Sequence, residues 1–419
     1  MYLRTPKRYR TPRRRLRLFS GRTVLFLVLI PLLGWVGYQI WMHRDTVYDN
    51  VTPRINEVAE TLQTQIAPEP TSSPTPNMAS LQSACSSAEQ SGNLEDAIVE
   101  CTELAESSPN DVELYYKVAH LLVITSNLGA DTQRLQQALA FAERTINAAP
   151  EKPHGWAIRA MAYDWMGEYE LALASALHAW SLDADYGPTY SFLGEIYHDL
   201  GRNDLANDYL EQSLDLDTAS VAVAHTFRNQ GLILSNQGYY ADAIQPYQAA
   251  LQNAPGYTYI AIELANNYIA LGELEKAIQV LTSVLDRNPR DPAVLFSLGW
   301  AHARNGNSDR SFEYYNRCLD ADPSNIDCLS FLGGWYYNEG DLNSAVDNLE
   351  RAIALGSDNE DDYLELGLSL AALGFCEDAI PYLRMGYQIA VEAENYDKQA
   401  RFINQLQSCD VTVVPVETQ

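Results

Sequence analysis

The chain has 419 residues, 28 Lys+Arg against 55 Asp+Glu for a formal net charge of −27, and an apolar content of 47%. That apolar content suits a folded chain rather than a disordered one. The acidic balance argues against a nucleic-acid binder, because neutralising phosphates needs a basic face, and the length admits two or three globular domains or one long repeat array.

The charge is uneven along the chain. Residues 1–44 carry Arg4, Lys7, Arg8, Arg10, Arg13, Arg14, Arg15, Arg17, Arg22 and Arg44 and no acid, which leaves 18 of the 28 basic residues beside all 55 acidic ones. Within the basic region, Thr23 to Met42 is a stretch without a charge. At about 1.5 Å per residue, a helix of about 20 residues crosses a hydrocarbon core of about 30 Å. Pro31 and Gly34 lie inside it, and Trp35, Tyr38 and Trp41 lie toward its end, where aromatic rings settle at a membrane interface. The basic flank comes first, so the positive-inside rule predicts a cytoplasmic tail over 1–22, a transmembrane signal anchor over 23–42 and everything later outside the membrane. A cleaved signal peptide would need a small-x-small site, and WMHRDTVYDN supplies none. Residues 43–77, with Pro53, Pro68, Pro70, Pro74 and Pro76 in Ser/Thr-containing sequence, read as an extended linker.

From residue 78 the sequence repeats. Glycine recurs at Gly92, Gly167, Gly201, Gly238, Gly272, Gly306, Gly340 and Gly374, and five residues after each comes a small residue: Ala97, Ala172, Ala206, Ala243, Ala277, Ser311, Ala345 and Ala379. Ala138 fills that place in a divergent unit. Pro109, Pro150, Pro255, Pro289 and Pro323 follow their small residues at a constant spacing. Tyr190, Leu193-Gly194, Tyr197, Gly201 and Ala206 complete the pattern in one unit, and Leu332-Gly333, Tyr336, Gly340 and Ala345 in another. This array resembles the tetratricopeptide repeat family. The resemblance implies an all-α, right-handed superhelical solenoid of about nine helix-turn-helix repeats over 78–386, which would follow the one transmembrane helix expected from residues 23–42. Each unit has helix A, a turn closed by a glycine in a left-handed cap, and helix B. No pair can bury its apolar face alone, so neighbours must stack. The second unit lacks the turn glycine and has extra residues around 126–134. The fifth has extra residues near Ala219–Val223, and both insertions are expected in loops. Residues 387–410 are expected to hold a capping helix, centred on the amphipathic stretch 392–408, before a tail at 411–419.

Six cysteines allow 15 connectivities. The repeat register puts Cys85 opposite Cys101 within the first unit, Cys318 and Cys328 either side of one inter-unit turn, and Cys376 beside Cys409 at the C-terminal cap. Bonds 85–101, 318–328 and 376–409 are therefore expected, in keeping with an oxidising compartment. Six reduced, buried cysteines are the alternative.

Chemistry is hard to find. The seven histidines form no H-E-x-x-H and no metal-ligand spacing, there is no G-x-S-x-G or phosphate-binding glycine loop, and the aspartate clusters lack EF-hand order, so they read as turns and helix caps. No cofactor, metal or catalytic residue is expected. In the family, certain helix A positions face the concave groove. Here they include Trp165, Glu195, His198, Asp199, Arg228, Asn236, Asn266, Phe296, Trp300, Arg304, Tyr337 and Asn338. Aromatics with Arg and Asn suit capture of a protein or peptide. Arg228 is paired with Leu232, and Asn266 with Ile262, so the family's carboxylate-gripping clamp is incomplete.

The reading is a non-catalytic protein-interaction scaffold, anchored as a single-pass membrane protein with its N-terminus in the cytoplasm. Its acidic array lies outside the membrane, favours basic partners and serves assembly of an envelope complex. The alternatives are a carbohydrate- or polymer-binding envelope protein and the recruitment subunit of an enzyme complex. Oligomeric state is left open.

Overall fold

The computed structural model of the protein describes residues 78–216 and 220–411. The basic tail at 1–22, the span expected at 23–42, the linker at 43–77 and residues 412–419 lie outside the described residues. Among the described residues no helix is long and apolar enough to cross a membrane.

Residues 78–411 are helical pairs in series. Unit 1 is α1 (Met78–Ser91) and α2 (Leu94–Ser107), unit 2 is α3 (Val112–Ile124) and α4 (Thr132–Ala148), and unit 3 is α5 (Pro153–Trp165) and α6 (Tyr169–Leu182). Unit 4 is α7 (Gly187–Asp199) and α8 (Asn203–Leu216), unit 5 is α9 (Ser220–Asn236) and α10 (Tyr240–Asn253), and unit 6 is α11 (Thr258–Ala270) and α12 (Leu274–Leu285). Unit 7 is α13 (Pro292–Arg304) and α14 (Ser308–Ala321), unit 8 is α15 (Ile326–Glu339) and α16 (Leu342–Leu355), and unit 9 is α17 (Glu360–Ala372) and α18 (Cys376–Glu392). A final helix, α19 (Tyr396–Ser408), packs on α18 and α17.

The repeated residues do the work their spacing suggests. The small residue that follows each turn is fully buried in every unit except the seventh, where Ser311 is 5% exposed. It lets helix B approach helix A. Further along helix B, a large side chain lies over a helix A glycine: Leu210 over Gly194, Tyr315 over Gly299 and Leu349 over Gly333. A methyl group on any of these glycines would overlap that side chain. Gly340 ends α15 in the left-handed conformation, at φ 81°, which an L side chain resists. Aspartates between the helices are local chemistry. Within the clusters, Asp183 accepts from the Asp185 amide and Asp322 from the Ser324 amide in turns. Elsewhere Asp291 caps α13 through the amides of Ala293 and Val294, and Asp111 caps α3.

The structure joins Cys85 to Cys101, Cys318 to Cys328 and Cys376 to Cys409, with Cα–Cα distances of 4.7, 6.4 and 5.5 Å. These are the three pairs expected from the register.

Three local expectations need correction. The second turn does contain a left-handed glycine, Gly129 at φ 91°, displaced into the longer loop beside Asn127 and Leu128, which also have positive φ. The insertion in the fifth unit lengthens a helix rather than a loop, since α9 starts at Ser220, and its first turn supplies buried Ala222 and Ala224. The last helix B runs to Glu392, past the expected boundary at 386. The cap then starts at Tyr396, where Asn395 accepts from the Lys398 amide. The break falls there because Glu394 is left-handed at φ 54°, and Phe402 of α19 packs over Gly386 of α18.

Candidate functional site

The helix A residues expected to line a groove separate into two groups. In units 1–6 they meet one another. His120 of unit 2 lies 2.6 Å, Nε2 to Nε2, from His225 of unit 5. Trp165 of unit 3 meets the Tyr259 ring of unit 6 at 5.7 Å. These pairs skip two intervening units, so they cross the inside of the coil rather than the stacking seam. The same closure brings unit 1 onto the joint between units 5 and 6. A Cβ placed on Gly256 would lie 2.9 Å from the Gly92 Cα, so the backbones touch where neither residue has a side chain.

At the centre of this closed region is a charged cluster. Arg228 donates from Nε to Glu263 at 2.9 Å and from Nη1 to Glu195, and its guanidinium lies 5.6 Å from both the Trp165 and Tyr259 rings. Trp165 donates from Nε1 to Glu195 Oε1 at 3.2 Å. Arg228 and Glu195 are each 4% exposed. Burial works against the guanidinium's charge, but Glu263 and Glu195 outweigh it and raise its pKa well above the usual value. Burial also raises the Glu263 carboxyl despite the opposing pull of Arg228. Asp164 is pushed well above the ordinary carboxylate range by burial, then by the charges of Glu195 and Asp199. Such a network fixes one arrangement of the chain and occupies the Arg228 guanidinium and Glu195 Oε1 from within, while Glu195 Oε2 is buried without a partner. That corrects the expectation that these two residues are open groove contacts. At its rim, half-buried His198 contacts Asn203 Oδ1 at 2.7 Å and the exposed Asn236 Nδ2 at 2.8 Å, so it is held in a polar chain rather than freely solvated. Asp199 and Asn266 are exposed.

Units 7 and 8 differ. Phe331 of α15 meets Phe296 and Trp300 of α13 edge-on, at 5.4 Å each, and lies 5.1 Å from the Tyr315 ring. Arg304 lies 5.8 Å from the Trp300 ring centre. Phe331 is 36% exposed, and Phe296, Trp300 and Tyr337 are half-buried, so the rings form a shelf that is neither core nor isolated. Beyond it, Glu365 of α17 lies over Gly334, where the helix carries no side chain. Burial, then Asp362, pushes the Glu365 carboxyl up to about 7 against the pull of Arg401. Asn338, though exposed, turns its amide back to the Gly334 carbonyl at 2.8 Å. The groove positions missed from sequence are Phe331 and Glu365, each one residue outside the family's concave positions. Glu263 and the two histidines of the closed half were also missed. Their partners are 34 to 105 residues distant, so no spacing within a repeat signals these pairings. Among the described residues no group of His, Cys, Asp and Glu could hold a metal ion.

Comparison with known proteins adds a family. The tetratricopeptide repeat profile matches residues 192–258 and 262–326. The photosystem I assembly protein Ycf3 of Synechococcus sp. (strain CC9311) is 31% identical over 102 residues, covering 24% of this chain and 57% of that protein. The human protein O-mannosyl-transferase TMTC1 is 22% identical over 206 residues, covering 40% of this chain and 23% of that protein. The chain thus spans less than two thirds of either relative. Among solved structures, a human IFIT1 dimer with m7Gppp-AAAA matches 73% of this chain and 80% of its own, at 15% identity and a TM-score of 0.47. The profile match falls on the helical pairs from α7 to α14, so this part of the chain carries tetratricopeptide repeats.

Proposed function

We propose that the chain is a non-catalytic scaffold that binds a protein or peptide on the inner face of units 7–9. The observation that carries this is the aromatic shelf of Phe296, Trp300 and Phe331, with Arg304 at one edge and Glu365 at the other. Half-exposed rings beside a cation and a carboxyl offer apolar area and fixed polar contacts at low entropic cost, as in binding hot spots. The inner face of units 2–6 is a poorer candidate, because its own side chains already fill it. The likeness to an assembly protein supports a scaffold role. The excess of 55 acidic over 28 basic residues favours a partner of basic character. We further propose that residues 23–42 anchor the chain and hold the repeats outside the membrane, where the three disulfides would persist and the partner would be part of an envelope complex.

A peptide-display screen on the purified full chain tests the site. Selected peptides should lose at least tenfold in affinity to Trp300→Ala or Phe331→Ala and keep it with Val99→Ala, a change at a residue 64% exposed on α2. Peptides that bind all three variants equally would refute the shelf. A glycan array is the counter-screen, since sugar rings also stack on such rings. Glycan hits without peptide hits would replace the protein-binding reading.

A further inference from the structure

We propose that the His120–His225 contact is a pH-sensitive latch, which holds units 1–6 closed on themselves and opens their inner face on acidification. The inference goes beyond partner binding at units 7–9 and rests on different residues.

The geometry sets the requirement. The two imidazoles meet Nε2 to Nε2 at 2.6 Å with their rings at 89°, and they are 3% and 1% exposed. Two nitrogens at that distance need one proton between them. His225 Nδ1 also lies 3.3 Å from the Tyr259 hydroxyl. A neutral pair satisfies both contacts, with His120 Nε2–H donating to His225 Nε2 and His225 Nδ1–H donating to the tyrosine oxygen. Protonating His225 sets N–H against N–H and removes the bond. Protonating His120 on Nδ1 keeps the bond but buries a charge.

The surroundings offer that charge no counterion at the ring nitrogens. On α3, Tyr116 stacks on His120, and Lys117 adds like charge while pairing with Glu89 of α1 at 2.7 Å. On α9, Arg228 adds like charge to His225 and is itself paired with Glu195 and Glu263. From α7 comes the apolar Phe192 ring, and from the start of unit 6 come the neutral phenols of Tyr257 and Tyr259. Burial first, and then Lys117, lowers His120 to about 3, while burial, His120 and Arg228 lower His225 well below its usual value.

The sign follows. A histidine freed from the latch takes up a proton near its ordinary pKa of about 6.5, whereas the closed state refuses it. Closure is therefore at full strength above about pH 6.5 and weakens as pH falls below it. Each pH unit below that point favours the open form by up to about tenfold per freed histidine, and about a hundredfold for both. Opening would uncover Tyr257 and Tyr259, now 5% and 6% exposed, and the Trp165–Arg228 cluster behind them.

Hydroxyl-radical footprinting of the full chain, read by mass spectrometry, tests this. Between pH 7.5 and 5, labelling of Tyr257 and Tyr259 should rise at least threefold while the far-ultraviolet helical signal is unchanged. His120→Gln, whose amide can donate, and His225→Gln, whose carbonyl can accept, should each move that rise at least half a pH unit lower. No rise down to pH 4.5, a rise that comes only with loss of helix, or the same midpoint in both variants would overturn the latch. Imidazole C2–H exchange in the unmodified protein supplies a readout that needs no variant. Titration of either histidine near 6.5 while Tyr257 and Tyr259 stay protected would also overturn it.

Discussion

Arg228→Met offers a deep test of the closed half of the array. Met keeps apolar bulk in the site but removes the cation that Glu195 and Glu263 face. Deleting one partner of a buried ion pair costs about 3–5 kcal/mol, because the other charge stays buried. Here two carboxylates would be left at 4% and 8% exposure, with Asp164 close by and its pKa already raised, so the upper part of that range applies at pH 8. The penalty depends on ionisation. Without the guanidinium, the pull that opposes burial at the Glu263 carboxyl is lost, so the native state binds more protons than the unfolded chain and the deficit shrinks as pH falls. It should shrink by at least about 1 kcal/mol between pH 8 and 6.5, a window above the histidine range. A repeat array opens unit by unit, so the assay is amide hydrogen exchange of α7, α9 and α11 beside a urea titration. Glu195→Gln and Glu263→Gln added to Arg228→Met should recover most of the loss. A loss below about 1 kcal/mol at pH 8, or one that grows as pH falls to 6.5, would refute the reasoning.

Three further outcomes are expected. Non-reducing peptide maps should show the bonds 85–101, 318–328 and 376–409. Reducing the last should cost the most, about 3.7 kcal/mol by loop-closure entropy, because its cysteines are 33 residues apart against 16 and 10. Gly367→Ala would drive a methyl group into Leu383 and should lower the stability of the C-terminal units by about 1–3 kcal/mol in a urea titration. Glu365→Gln should stabilise the protein by about 1–2 kcal/mol at pH 8 and by little at pH 4, the value being discounted for the partial exposure of Glu365. The sign follows from a folded pKa raised to about 7, so that the native carboxyl loses stability as pH rises from its unfolded value toward 7.

Much of the scaffold was legible because its rules are local. A glycine at a turn, a small residue five positions later and a proline twelve beyond that are all read within one unit, and the structure forms the pairs they mark. The cysteine pairs were legible too, since each lies within one unit, across one joint or at the capped end. The site was less legible. Glu195 and Arg228 stand at groove positions, but how tightly the coil turns decides whether such positions face solvent or one another. That curvature sums small rotations over several units, and no single motif records it. Trp300, Phe296 and Arg304 stand at groove positions and lie together because the shelf they form uses neighbouring units. Phe331, which completes it, sits one position outside the family's pattern. The insertion in the fifth unit looked like a loop because helix and loop cannot be separated by length alone, and the structure spends those residues on the first turn of α9.

The central claim is that the open groove of units 7–9, rather than the filled interior of units 2–6, receives the partner. Photo-crosslinking amino acids placed singly at Trp300, Phe331, Trp165 and Val99 of the full chain in cells test it most directly. The account predicts one shared protein adduct from positions 300 and 331, lost when Arg304→Glu is added, and none from 165 or 99. The same adduct from position 165 or 99, with none from 300 and 331, would contradict it.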